Sequence, residues 1–147
     1  MGKVEQGVAA LWVARHYWKK ELQFIGYGGT GKQVRDFLHV LDLCELLELQ
    51  LRQIKKLDGQ TFNVGGGVAV SASLRELTAE CQRVTRNRVK IRRVTGTRPA
   101  DLRVYLSDCG KLKKATGWRP KRTIRGIVED IYQWIHDHDR ILEPILR

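Results

Sequence analysis

Two short segments each hold an arginine and an aspartate a few residues apart: Gly31-Lys32-Gln33-Val34-Arg35-Asp36 and Arg98-Pro99-Ala100-Asp101-Leu102-Arg103-Val104. Arginine suits a diphosphate because its planar fork offers two parallel charge-assisted hydrogen bonds; aspartate can accept from paired sugar hydroxyls or hold that fork in place. A structural Arg–Asp ion pair in each segment is the competing reading, and residue types alone leave both open. Other chemistries find less support. Cys44, Cys81 and Cys109 have no adjacent histidine, there is no Gly-x-Ser-x-Gly turn, and His16, His39, His136 and His138 form no ligand set. No catalytic residue and no metal is therefore assigned. Gly28 to Lys32 approximates a phosphate loop, but the Gly-x-x-x-x-Gly-Lys-Ser/Thr spacing fails at Gln33, and Gly65-Gly66-Gly67 does not complete Gly-x-Gly-x-x-Gly. Both glycine clusters read as turns.

The elements that must position these residues belong to a chain of 147 residues, 42% hydrophobic and 29% charged, enough for one globular domain spanning 1–147 and too ordered in composition for collagen or disorder. No apolar run nears the roughly 20 residues of a membrane span. Met1 to Gln6 carries an acid and no apolar leader core, so a soluble, cytoplasmic protein is expected. The odd cysteine count argues against a disulfide framework and for reduced core or cap residues. Net charge is +11; between Arg83 and Arg125 lie 15 basic and two acidic residues, a local +13 that leaves −2 elsewhere. Such a field attracts phosphates, although a solvated basic face is equally ordinary.

Apolar spacing predicts a helix over 7–20, a strand over 22–27, and then either a hairpin or two short strands about the glycine-rich turn into 33–40. Asp42 and Glu45 have capping-box spacing at the head of a leucine-rich helix ending near Asp58-Gly59, expected to be buried on most sides. Thr61 to Val64 reads as a short buried strand. Ser73 and Glu76 form a second capping box opening a helix to about Val84, Val89 to Thr95 alternates as a half-exposed strand, and Asp108 caps a helix over 109–116 stopped by Gly117. A final helix carries Ile124, Ile127, Val128, Ile131, Trp134 and Ile135. The class is α/β, helix-rich with few short strands. That sheet is thin for so many apolar helix faces, so surface from outside the chain is expected to cover some of them.

The stretches GKQVRDFLHVLDL, TFNVGGG, RPADLRVYLSD and KLKKATGWRP, in this order, resemble the C-terminal portion of extended short-chain dehydrogenase/reductases, the NAD-dependent nucleotide-sugar epimerases and dehydratases. GYGGTGKQVRD is most similar to the branch of 2-epimerases acting on CDP-linked sugars. The resemblance covers essentially the whole chain. It implies the C-terminal part of a Rossmann-type fold, with Arg35 and Arg98 on the diphosphate of a CDP- or UDP-sugar, Asp101 on the nucleotide ribose and Gln33 lining the same pocket. Asn63 would be structural beside that cleft, and Trp118 and Pro120 would be packing residues. Family members read HVDDL or HVEDL where Leu41 stands here, with Asp42 left to cap the helix. The resemblance also places the NAD-binding half, with its glycine fingerprint and Tyr-x-x-x-Lys acid/base pair, outside this chain, and Met1-Gly2-Lys3-Val4 resembles an internal stretch of the family. A truncated, substrate-binding half is expected, inactive alone; the complete enzymes use NAD to oxidise the sugar and return hydride to its opposite face.

The competing function is a stand-alone basic module that oligomerises through uncovered apolar faces, at least as a dimer, or binds nucleic acid. Nucleic acid has the weaker support, because the two aromatic residues between Arg83 and Arg125, Tyr105 and Trp118, are not interleaved with the charges as in a stacking platform, and no RNP-like motif is present.

Overall fold

The computed structural model describes residues 7–146; the readings placed on Met1 to Gln6 lie outside them. Helix α1 (Val8–Tyr17) leads to β1 (Leu22–Ile25), a single 3-10 turn (Tyr27–Gly29) and β2 (Val34–Asp36). Then follow α2 (Val40–Arg52), α3 (Ile54–Leu57), β3 (Ser71–Ser73), α4 (Leu74–Thr85), β4 (Ile91–Val94), β5 (Val104–Tyr105), α5 (Gly110–Thr116), α6 (Ile124–Asp137) and α7 (Asp139–Leu146). This is the helix-rich α/β architecture expected. The strands form two small sheets: β1 pairs parallel with β4, Leu22 opposite Ile91, and β2 lies between antiparallel β3 and parallel β5, with Arg35 opposite both Ala72 and Tyr105.

Three helices build the main core. The apolar stripes of α1, α4 and α6 bring Trp12, Val13, Leu77, Cys81, Val128 and Ile135 together beneath Leu22 and Phe24 of β1. Period-3.6 spacing gives each helix one buried stripe, and removing several such side chains from water supplies the main driving force, about 1.5–3 kcal/mol for each fully buried one. Trp12 Nε1 donates to Thr78 Oγ1 at 3.0 Å and Trp18 Nε1 to Asp139 Oδ1 at 2.9 Å, so the polar edge of each indole is matched. A smaller cluster of Leu46, Leu112 and Trp118 joins α2 to α5.

The Ser73–Glu76 capping box is present on both arms: Glu76 N–H donates to Ser73 Oγ at 3.2 Å and Ser73 N–H to Glu76 Oε2 at 2.7 Å. Several local readings are corrected. Of the two arrangements open about the glycine-rich turn, two short strands form and not a hairpin, because β1 and β2 each find partners far away in sequence. Asp42 does not cap α2; His39 does, its Nδ1 accepting from Leu41 N–H at 3.1 Å. Asp42 is instead buried, accepting from the backbone N–H groups of Lys121 and Arg122 at 3.2 and 3.1 Å and pairing with the Arg122 guanidinium. Burial alone would raise its pKa, but the Arg122 and Lys121 hydrogen bonds and the Arg122 charge outweigh that and hold it below the usual carboxylate range.

Helix α2 is not buried on most sides either: only Asp42 and Leu46 are, while Leu43, Leu47 and Leu51 face outward. Thr61 to Val64 alternates between exposed and half-buried as a strand would, yet joins no ladder. Asp108 sits one residue ahead of the α5 cap, Cys109, and accepts from Gly110 N–H at 2.8 Å. Cys81 is core, but Cys44 is exposed, contrary to the core-or-cap reading. β3, β5 and α7 are additional to the elements read from the sequence.

Candidate functional site

Parallel pairing puts the C-terminal ends of β1 and β4 at one edge, and so brings together loops some 70 residues apart in sequence. Gly26 N–H donates to Val94 O at 2.8 Å, and Tyr27 N–H to Thr97 Oγ1 at 3.0 Å. The Tyr27 hydroxyl then donates to the carbonyl of Asp101, anchoring the irregular 97–101 loop. Gly26 (φ +85°) is required here, since a Cβ would lie 3.3 Å from Gln33 Nε2 and 3.4 Å from Asp101 Oδ2.

The result is a cleft of about 870 Å3 that Gln33, Arg35, Arg98 and Asp101 all line. Arg35 Nη2 donates to Asp101 Oδ1 at 3.0 Å, both side chains about one third exposed or less (32% and 27%), and Arg35 Nη1 donates to Val34 O at 2.8 Å. The ion pair thus joins the two Arg/Asp segments to each other, not the arginine and aspartate within either one. Asp36, the near neighbour, also lines the cleft, but its carboxylate accepts from the N–H groups of Gly67 at 2.9 Å and Ser107 at 3.2 Å. Arg98 is exposed at the cleft margin, with no side-chain hydrogen bond or ion pair to another described residue. Gln33 is buried; its Nε2 donates to Ile25 O, leaving Oε1 without a partner beside the cleft. Leu11, Trp12, Leu22 and Ile25 give the cleft an apolar wall. One guanidinium held by a carboxylate, a second one open, an unmatched amide oxygen and an apolar wall together suit an anionic group joined to a flat, partly apolar one.

Asn63 is exposed and is not among the residues lining the cleft, whereas Trp118 is buried in the α2–α5 cluster. Arg15 and Tyr27 were passed over in the sequence. Arg15 lines the cleft four positions after Leu11, and that i, i+4 spacing on α1 was its only signal. Tyr27 gave none, because its role depends on a loop 70 positions away.

The glycine-rich turn after β1 does not fit a dinucleotide. Gly26-Tyr27-Gly28-Gly29-Thr30-Gly31 has Gly-x-Gly-x-x-Gly spacing after β1, but it enters one 3-10 turn and then β2, whereas a pyrophosphate fingerprint must open an α-helix whose N-terminus meets the phosphates. Packing accounts for these glycines: a Cβ on Gly31 (φ +67°) would lie 2.7 Å from the Phe24 ring, and one on Gly29 (φ +64°) 2.8 Å from Arg93 Cβ. Among the described residues no cluster of histidine, cysteine and carboxylate side chains could hold a metal, and no helix is long and apolar enough to cross a membrane.

This fold recurs in extended short-chain dehydrogenase/reductases. The UDP-glucuronic acid 4-epimerase of Bacillus cereus superposes with a TM-score of 0.77 at 18% identity, over 90% of this chain and 40% of that one. The UDP-glucose 4-epimerase of Thermotoga maritima gives 0.72 at 23% identity, over 89% and 40%. The chain belongs to the GDP-mannose 4,6 dehydratase family, whose model matches residues 9–131. It is 34% identical over 106 residues to the CDP-paratose 2-epimerase of Salmonella typhi, covering 72% of this chain and 31% of that protein. It is also 34% identical over 127 residues to the dTDP-glucose 4,6-dehydratase of Xanthomonas campestris pv. campestris, covering 80% and 35%. The chain spans about a third of the length of these curated relatives.

Proposed function

We propose that this chain is the nucleotide-sugar-binding portion of an epimerase or dehydratase of this family, a cytoplasmic protein that binds a CDP- or UDP-linked sugar and does not turn it over alone. Arg35 and Arg98 hold the diphosphate, Asp101 accepts from the ribose hydroxyls, and Gln33 lines the pocket with its free acceptor. The observation that carries this reading is the meeting of Gln33 and Arg35 with residues 98–101 in one cleft with an apolar wall. A diphosphate bridging the two guanidinium groups gains charge-assisted hydrogen bonds in a partly desolvated place, where they are worth more than in open water. Turnover is not expected because the sequence has no Tyr-x-x-x-Lys pair and its one Gly-x-Gly-x-x-Gly stretch opens no helix.

Isothermal titration calorimetry with UDP-glucose and a CDP-sugar tests it. Binding is expected, with Arg35→Ala and Arg98→Ala each weakening it about tenfold or more, the cost of one charge-assisted contact. A folded sample that binds neither ligand, or variants that bind as wild type does, would remove the proposed pocket.

A further inference from the structure

The cleft has a further open guanidinium that the diphosphate reading does not use. Arg15, half-buried near the end of α1, lines the cleft and has no hydrogen bond or ion pair with another described residue. No acid of the cleft is left to neutralise it. Glu21 is taken by Arg92 at 2.9 Å and Lys90 at 3.5 Å, Asp101 by Arg35 at 3.0 Å, and Asp36 by the N–H groups of Gly67 and Ser107. Arg15 also stands apart from the residues assigned to the diphosphate. Lys20 N–H donates to Arg15 O at 2.8 Å, which ties the end of α1 to the start of β1, whereas Gly26, past the other end of β1, lies against Gln33 and Asp101. From Leu22 to Gly26 is four steps of extended chain, about 13 Å at the usual rise of a strand. Leu11, Trp12 and Leu22 line the cleft between these ends with apolar surface.

We propose that Arg15 reads the base of the nucleotide and selects cytosine over uracil, an inference that rests on the nucleotide-sugar reading above. With the diphosphate on Arg35 and Arg98 and the ribose at Asp101, the base lies one ribose further along the cleft. There it packs flat against Leu11, Trp12 and Leu22 and turns its polar edge toward Arg15. A guanidinium offers parallel N–H donors and no acceptor, so it is best satisfied by two adjacent acceptors on one edge. Cytosine has such a pair in O2 and N3. Uracil carries a hydrogen on N3, between O2 and O4, so the same fork meets one acceptor and one opposing N–H. In a half-buried place that mismatch is costly, because a donor removed from water and left unpaired loses its hydration for nothing. Lysine there would keep the charge and lose the fork.

Calorimetric titration of the full chain with CDP, UDP and inorganic pyrophosphate tests the assignment. The wild type is expected to bind CDP about tenfold or more tightly than UDP, the discrimination that one bidentate contact to a base edge supplies. Arg15→Lys is expected to bring CDP and UDP within about twofold of each other, with an unchanged far-ultraviolet circular dichroism spectrum. Its affinity for pyrophosphate should move by less than about twofold, because a charge about 13 Å from the diphosphate residues is largely screened at physiological salt. Arg15→Leu should lose the CDP preference in the same way and keeps the test open should the lysine variant fail to fold. Equal binding of CDP and UDP by the wild type would overturn the proposal, as would a CDP preference that survives in both variants. So would a loss of pyrophosphate affinity in Arg15→Leu as large as its loss for CDP, the mark of a cation acting by charge alone. Those failures leave the pocket standing, since UDP and pyrophosphate still bind; a folded chain that binds none of the three removes the nucleotide reading, and the role of Arg15 with it.

Discussion

The Arg35–Asp101 pair sits where two roles for an aspartate pull in opposite directions. While Asp101 holds one Nη of Arg35, that guanidinium is oriented but partly satisfied, so an incoming phosphate must compete for it. Asp101 also repels a bare anion approaching the open Arg98. If the carboxylate has a second task, accepting from ribose hydroxyls, then Asp101→Asn separates the two. The amide keeps the size and removes the charge, so affinity for inorganic pyrophosphate should rise severalfold while affinity for UDP falls. Titration of both ligands against both proteins checks it, and a variant that changes the two in the same direction would count against the ribose role. Stability should move by only about 0.5 kcal/mol, because a pair exposed to about one third is well screened.

At the scale of elements, the cleft depends on how tightly the turn after β1 is folded back onto it. Gly31 has φ +67° and no room for a side chain, since its Cβ would enter the Phe24 ring at 2.7 Å. Gly31→Ala is therefore expected to cost about 2 kcal/mol or more from the left-handed backbone and the displaced ring together. Chemical denaturation measures it; a loss under about 0.5 kcal/mol would show that the turn relaxes freely. Elements of this chain whose signals are local were legible in sequence. The Ser73–Glu76 box, the stripe of α6 and the Gly117 stop (φ +75°) each need only residues within one or two turns. Strands β3 and β5 were not legible, because two or three residues become a strand only through pairing with β2. Asp42 fitted capping-box spacing, but Arg122 recruits it from 80 positions away. Leucine content suggested that α2 was buried without saying what would bury it. The site shows the same division: the side-chain chemistry of Arg35 and Arg98 was readable, whereas their convergence required the parallel β1–β4 pair.

For the molecule as a whole, the buried titratable groups define a bounded pH range of stability. His16 is fully buried in the main core, and its Nδ1 lies 2.7 Å from Trp12 O, an acceptor, so Nδ1 carries the proton. Nε2 is buried without a partner, so protonating it would create a cation with an N–H and no acceptor; burial lowers the His16 pKa despite the Trp12 hydrogen bond. The unfolded chain therefore takes up this proton first, and stability is present above about pH 6.5 and lost as pH falls below it. A second loss follows below about pH 4.5, where Asp42, Glu45 and Glu76, all held below their ordinary values by hydrogen bonds, must protonate. On the alkaline side, burial pushes the Cys81 thiol up from 9.0 to about 12, so the folded state resists ionisation that the unfolded chain undergoes; stability is present below pH 9 and declines above it. Urea unfolding across pH 4 to 11 should show a plateau between about 6.5 and 9 with a shoulder on each side. Cys81→Ala should flatten the alkaline slope and leave the acid one, and His16→Gln should do the reverse, whatever either variant costs at pH 7.5. Because a slope counts protons and a lost contact does not, a His16→Gln curve lowered everywhere but still falling between pH 6.5 and 5 would mean that a different group takes up the first proton.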